Sequence, residues 1–269
     1  MNMEVLLSCM NQPDTGIVKQ INAQSDIVIV NQCDTNGSTI ETFVNEKGNP
    51  CRILFISTTE RGLSRSRNMA IRNAQADICL ISDDDELLEP DYRENILQSF
   101  EQHPEADLIA FNLLVNGKHQ KEYGNQVKKV GKLMALRISS VQIAFRRQVI
   151  LEKGLFFDEE MGAGTGHGAG EENKFLYDCI DKGLHIIFVP IDITNLQERH
   201  PSTWFNGFNE TFYLQKGWAT KRYMGKFYAT LFAFYTTLAK RRLYQENCSS
   251  FCVLKAMLRG IYSKNVFKS

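Results

Sequence analysis

The run Ile78-Cys79-Leu80-Ile81-Ser82-Asp83-Asp84-Asp85-Glu86 passes in one step from four apolar residues to a block of acids. An apolar run without polar alternation suits a strand buried on both faces of a parallel sheet. In open α/β sheets, ligands bind at the carboxyl ends of the strands. Three adjacent carboxylates at such an end repel one another and gain little structurally. A hard divalent cation, Mg²⁺ or Mn²⁺, would neutralise them, since it takes one or two carboxylates together with phosphate oxygens and water. The competing reading is a solvated acidic loop that complements the next helix N-terminus.

Upstream, Val5–Cys9, Asp26–Val30 and Ile53–Ser57 repeat the same uninterrupted apolar pattern. Between the last of these and Ile78, Ser64–Ala74 reads as a helix, with Leu63, Met69, Ala70 and Ala74 forming its inner face. Strand–helix–strand repetition of this kind argues for an α/β fold. Downstream, Pro90 and then Tyr92–Gln102 read as a helix start and helix. Leu108–Val115 and Val141–Arg146 read as strands, Asn173–Lys182 as a helix and Ile186–Val189 as a strand. From about residue 211 aromatic and basic residues dominate, and Tyr223–Leu243 has helical propensity. The expected organisation is a catalytic domain over 1–210, with halves 1–90 and 91–210, and a helical extension over 211–269.

Composition narrows the classes. Of 269 residues, 43% are hydrophobic and 23% charged, a globular mixture long enough for a sizeable core. Thirty-one basic residues balance thirty-one acidic ones, whereas a protein living on nucleic-acid backbone carries a basic excess. Seven cysteines, with no CxxC among them, suit reduced thiols in a cytoplasmic protein. The start of the chain lacks the basic region of a signal peptide. The longest apolar-rich run, Phe227 to Ala239, falls short of the roughly 20 residues that span a bilayer.

Other stretches carry weaker signals. Glycine occupies every second position from Gly162 to Gly170, followed by Glu171-Glu172-Asn173 at a helix opening. The even spacing leaves no room for GxGxxG, and no GxxxxGK[ST] loop occurs. A carboxylate beside a mobile glycine loop suits a general base, while the plainer reading has both glutamates complementing the helix N-terminus. His200 is isolated, and a lone histidine is more often a surface residue than a ligand. Arg67-Asn68 begins a helix beyond the third strand, and its plainer reading is an ordinary solvated helical face.

In their order, these pieces resemble family-2 glycosyltransferases of the GT-A fold over about residues 3 to 205. The first strand ends in Ser8-Cys9-Met10-Asn11. Gly62-Leu63-Ser64-Arg65-Ser66-Arg67-Asn68 stands where that family has a glycine–leucine–serine stretch leading to Arg-Asn. Asp83-Asp84-Asp85, with Pro90 beyond, matches its aspartate motif. Ala144-Phe145-Arg146, Phe157-Asp158-Glu159, Gly162–Gly170 and Glu171-Glu172 follow in the family's order. Two positions depart from it. Asn31 stands near the end of the second strand, where an aspartate is usual, and the Glu-Asp pair is Glu-Glu.

The resemblance implies a GT-A, mostly parallel sheet with flanking helices. It implies an inverting transferase that moves a sugar from a nucleotide-diphosphate donor, most simply a UDP-sugar, to a hydroxyl of a glycan or lipid-linked saccharide. Asp83 and Asp85 would hold Mn²⁺ or Mg²⁺, with His200 as an added ligand. Asp84 would face the ribose, and Asn11, Asn31 and Arg67 would line the nucleotide pocket. Glu172 would be the general base, and the glycine run a loop ordering over donor and acceptor. A metal-dependent nucleotidyltransferase and a silent nucleotide- or sugar-binding module are the alternatives. The first usually has a basic, glycine-rich loop after strand one, and here that position reads Met10-Asn11-Gln12-Pro13-Asp14. Residues 223–243 either lie on the inner face of a membrane or pack against the catalytic domain.

Overall fold

The computed structural model describes residues 1–119, 121–168, 170–197 and 207–263. Among the described residues eleven strands form one sheet. They are β1 (Met3–Met10), β2 (Asp26–Gln32), β3 (Gly37–Val44), β4 (Pro50–Thr58), β5 (Ile78–Asp83) and β6 (Glu86–Leu88). Next come β7 (Leu108–Val115), β8 (Lys118–His119), β9 (Lys128–Lys129), β10 (Ile143–Arg146) and β11 (Ile186–Leu196). The short helices α1 (Ile17–Gln20), α4 (Lys132–Ala135) and α5 (Arg147–Glu152) punctuate the connections. The longer ones are α2 (Leu63–Asn73), α3 (Tyr92–Gln102), α6 (Glu171–Asp181), α7 (Glu210–Ala239) and α8 (Ser250–Tyr262).

The sheet order is β3-β4-β2-β1-β5-β10-β7-β11-β6, with β8 on β7 and β9 on β11. The four apolar runs pair in parallel as β4-β2-β1-β5, as strands buried on both faces should. Val5, Leu7, Ile27, Ile29 and Leu80 are fully enclosed along them. Each such side chain contributes about 1.5–3 kcal/mol when withdrawn from water. Beyond β5 the direction changes. β10 runs antiparallel to both β5 and β7, and the parallel pair β7-β11 follows. This mixed α/β sheet with flanking helices is the architecture the resemblance implied, and the C-terminal helices are present.

The chain forms two compact units, one of residues 1–61, 65–156 and 175–200, the other of 62–64, 157–174 and 201–269. The glycine run belongs to the same unit as the C-terminal helices. Within the second unit α7 changes direction at Gly225, where φ is 73° and ψ 167°. α7 and α8 enclose Tyr213, Ala233, Tyr244, Val253 and Met257 in a core of their own. Among the described residues no helix is long and apolar enough to cross a membrane.

Candidate functional site

The carboxyl ends of β1, β2 and β5 lie side by side and carry the first group of expected residues. After β1 the chain turns at Asn11, an exposed residue in the left-handed region (φ 51°) that asparagine tolerates better than most. Its N–H donates to the Gln32 carbonyl at 3.2 Å. Asn31, buried at the end of β2, accepts from the Gln12 N–H and donates to the Gln12 carbonyl, each at 2.9 Å. Both ends of its carboxamide therefore fasten the loop that follows β1.

Arg67 reaches from α2 and is 1% exposed. Its guanidinium donates to both carboxylate oxygens of Asp83 at 3.0 Å and to the Ser140 hydroxyl at 2.8 Å. On the same helix the Ser66 hydroxyl donates to that of Ser8 on β1 at 2.8 Å. One member of the acidic cluster is thus neutralised from within. A charge buried this deeply is strongly destabilising when its partner is removed, by about 3–5 kcal/mol. Asp83→Ala should accordingly lower the unfolding free energy by about 3 kcal/mol in urea titration.

Asp84 and Asp85 form the turn between β5 and β6. The Asp85 carbonyl accepts from the Gln197 N–H at 2.9 Å, which pins the turn to the end of β11. Glu86, fully buried just beyond, pins the other side. Its carboxyl accepts from the Asp83 N–H at 3.0 Å and from the Thr194 hydroxyl at 2.5 Å. Burial pushes this carboxyl up to about 8. Sequence reasoning counted Glu86 only as one more acid. The signal for its inward direction was the resumed apolar pattern of Leu87-Leu88.

In the second unit, the alternating glycines Gly162, Gly164, Gly166, Gly168 and Gly170 all have positive φ, from 76° to 119°. Only glycine adopts this region freely, so the repetition sets the path of the loop. The Gly162 N–H donates to the Gly168 carbonyl at 2.9 Å, the Leu63 N–H to Ala163 at 2.9 Å and the Ser64 hydroxyl to Met161 at 2.7 Å. α7 holds the loop as well. His167 stacks on Trp218 at 4.5 Å between centroids, and Arg222 lies 4.8 Å over the same indole. Arg222 also pairs with Asp158 at 2.6 Å and Glu160 at 2.7 Å. The contacts with α7 are not visible in the motifs, since their partners are more than fifty residues apart.

Glu171 and Glu172 open α6 as expected, with the helix N-terminus favouring both charges. They differ in surroundings. Glu171 is 5% exposed, accepts from the Gly170 N–H at 3.0 Å and lies so close to Gly162 that a Cβ there would meet its Cδ at 3.2 Å. Glu172 is only half-buried. His200 lies outside the described residues. Among the described residues no three His, Cys, Asp or Glu converge as a metal-holding group. The donor set at Asp83 and Asp85 still suits a hard cation that keeps phosphate and water ligands, with Asp85 the more exposed donor.

Comparison with known proteins adds the following. Residues 4–158 match the sequence model of glycosyl transferase family 2. No curated protein matches the chain. Staphylococcus aureus TarS 1–349 in complex with UDP-GlcNAc has a similar structure, with a TM-score of 0.63 and 13% identity, covering 88% of this chain and 73% of that one. Another structure of S. aureus TarS 1–349 gives 0.63 and 11%, covering 97% and 81%. The longer S. aureus TarS gives 0.59 and 12%, with 91% of this chain but 45% of that one covered.

Proposed function

The chain belongs to glycosyl transferase family 2 and has the GT-A fold, and from that premise we propose that it transfers a sugar from a UDP-sugar to a hydroxyl of a glycan or lipid-linked saccharide, with inversion. The observation that carries this reading is the end of β5, where the Arg67 guanidinium holds Asp83 and Asp85 stands at an exposed turn whose carbonyl accepts from the Gln197 N–H. In TarS, structures hold UDP-GlcNAc and UDP, and UDP-GlcNAc is the first donor to try here.

The roles follow from the chemistry of each residue. Asp85, with Asp83, would hold Mn²⁺ or Mg²⁺, and His200 is the candidate for a further ligand. Bound there, the cation supplies positive charge against the negative charge that grows on the departing diphosphate. Arg67 keeps Asp83 oriented. Asn11 and Asp84 line the nucleotide side, and Asn31 acts by fixing the Gln12 backbone. Glu172 takes the proton from the acceptor hydroxyl as its oxygen attacks the anomeric carbon opposite the leaving group. The glycine loop, braced by Trp218 and Arg222, orders over the reactants and excludes water. The working location we propose is the cytoplasmic side of a membrane.

Thermal melts with a panel of nucleotide sugars and Mn²⁺ test donor binding. A donor at 100 times its Kd stabilises by about 2.7 kcal/mol. We expect a UDP-sugar to raise the melt of the native chain and to leave that of Asp85→Asn unmoved. An equal shift in the variant would remove Asp85 from the donor site, and no shift with any donor would overturn the reading.

A further inference from the structure

The second half of α7 carries a feature to which the roles above give no part. After Gly225, α7 exposes Phe227, Tyr228, Leu231, Phe234, Tyr235 and Leu238, each between 46% and 79% accessible. Spacings of one, four, seven, eight and eleven residues put all six on one side of the helix. The opposite side, Ala229, Ala233, Thr236 and Thr237, is buried, with Ala229 and Ala233 in the core shared with Val253 and Met257 of α8. The helix is therefore apolar on two sides, one buried and one exposed among the described residues. A contiguous apolar patch of this kind marks an interaction surface rather than ordinary scatter.

Charge says what kind of surface it meets. Residues 211–269 contain eleven basic residues and one acid, Glu246, although the whole chain is balanced. The first 210 residues thus hold the compensating acids. Exposed Lys226 stands at one end of the stripe and exposed Lys240, Arg241 and Arg242 at the other. Leu238, Ala239, Arg241, Arg242 and Gln245 line a surface depression where the stripe ends. Pairing this face with itself across a two-fold axis would bring two basic clusters together. An anionic surface meets them favourably.

We propose that the exposed face of residues 226–243 docks flat on an anionic bilayer. From Phe227 to Leu238 the helix runs about 17 Å, too short to span roughly 30 Å of hydrocarbon. Its aromatic and leucine side chains enter the interface, the tyrosines keep their hydroxyls at headgroup level, and the basic residues pair with lipid phosphates. The inference rests on exposure and charge in the C-terminal unit and does not depend on the transfer reaction.

Co-sedimentation of the full chain with phosphatidylcholine vesicles, with and without phosphatidylglycerol, tests it. We expect binding to the anionic vesicles at low salt, release at high salt and little binding to the neutral ones. Each basic residue near such a surface is worth about 1 kcal/mol, so combined Lys240→Ala, Arg241→Ala and Arg242→Ala should weaken partitioning about 100-fold. Leu231→Ser with Phe234→Ser should abolish it. Tyr235→Trp reports depth, because brominated lipid should quench its added fluorescence. Two results would overturn the proposal: protein left in the supernatant with anionic vesicles at low salt, or a Tyr235→Trp signal that brominated lipid leaves untouched. A concentration-dependent dimer, dissolved by the Leu231 and Phe234 changes and indifferent to lipid, would assign the face to a second copy instead.

Discussion

Glu172→Gln should lower turnover by about 10²–10⁴-fold, the range a general base supplies, while donor affinity hardly changes. Glutamine keeps the size and hydrogen-bonding reach of glutamate but cannot take the proton, so the loss falls on kcat and not on ground-state binding. Glu171→Gln is the comparison. Glu171 is buried and bonded to the Gly170 N–H, and glutamine preserves an acceptor oxygen there. Its substitution should move the melting temperature more than the rate. Steady-state kinetics with calorimetric donor titration separates the two. Near-normal turnover in Glu172→Gln would remove it from the chemistry, and a dead Glu171→Gln enzyme with native stability would move the base by one position. NMR of the fresh product should find the anomeric configuration inverted, because one base and one displacement leave no covalent intermediate.

Gly260→Ala should be among the most damaging single changes outside the site. α7 and α8 approach so closely that a Cβ at Gly260 would stand 2.1 Å from the Leu214 carbonyl oxygen, and one at Gly217 only 2.2 Å from that of Met257. Both obstacles are backbone, which cannot swing aside as a side chain can. Overpacking at such a crossing costs about 3 kcal/mol or more. Urea unfolding of Gly260→Ala and Gly217→Ala should therefore display a markedly earlier transition. Stability within about 0.5 kcal/mol of native for either would contradict the crossing.

Much of the parallel sheet was legible because its strands are buried on both faces and so read as unbroken apolar runs. Val5–Cys9, Asp26–Val30, Ile53–Ser57 and Ile78–Ile81 all fall within β1, β2, β4 and β5. β3 was not legible. Gly37–Val44 is an edge strand whose Ile40 and Val44 stay two-thirds exposed, so no burial pattern marks it. β10 was read as a strand, but its antiparallel insertion between β5 and β7 depends on pairing that no local pattern encodes. α7 begins at Glu210, well before Tyr223, and Gly217 sits inside it. A mid-helix glycine looks like a breaker until α8 is seen to need the space.

The site divides in the same way. The acidic cluster and the glycine run announce themselves locally, as composition at a strand end and as period two. What each residue touches is non-local. Arg67 finds Asp83 sixteen positions away, Asn31 turns to the Gln12 backbone, and Glu86 reaches Thr194 across 108 residues. Trp218 and Arg222 brace the glycine loop from a segment to which the motifs gave no role.

Release of the nucleotide from a UDP-sugar tests the central claim most directly. The native chain, incubated with UDP-GlcNAc and other UDP-sugars in Mn²⁺, should release nucleoside diphosphate and free or transferred sugar, with no release from Asp85→Asn. Nucleoside monophosphate or pyrophosphate chemistry would contradict the account in favour of nucleotidyl transfer, and no release from any donor would reduce the chain to a binding module.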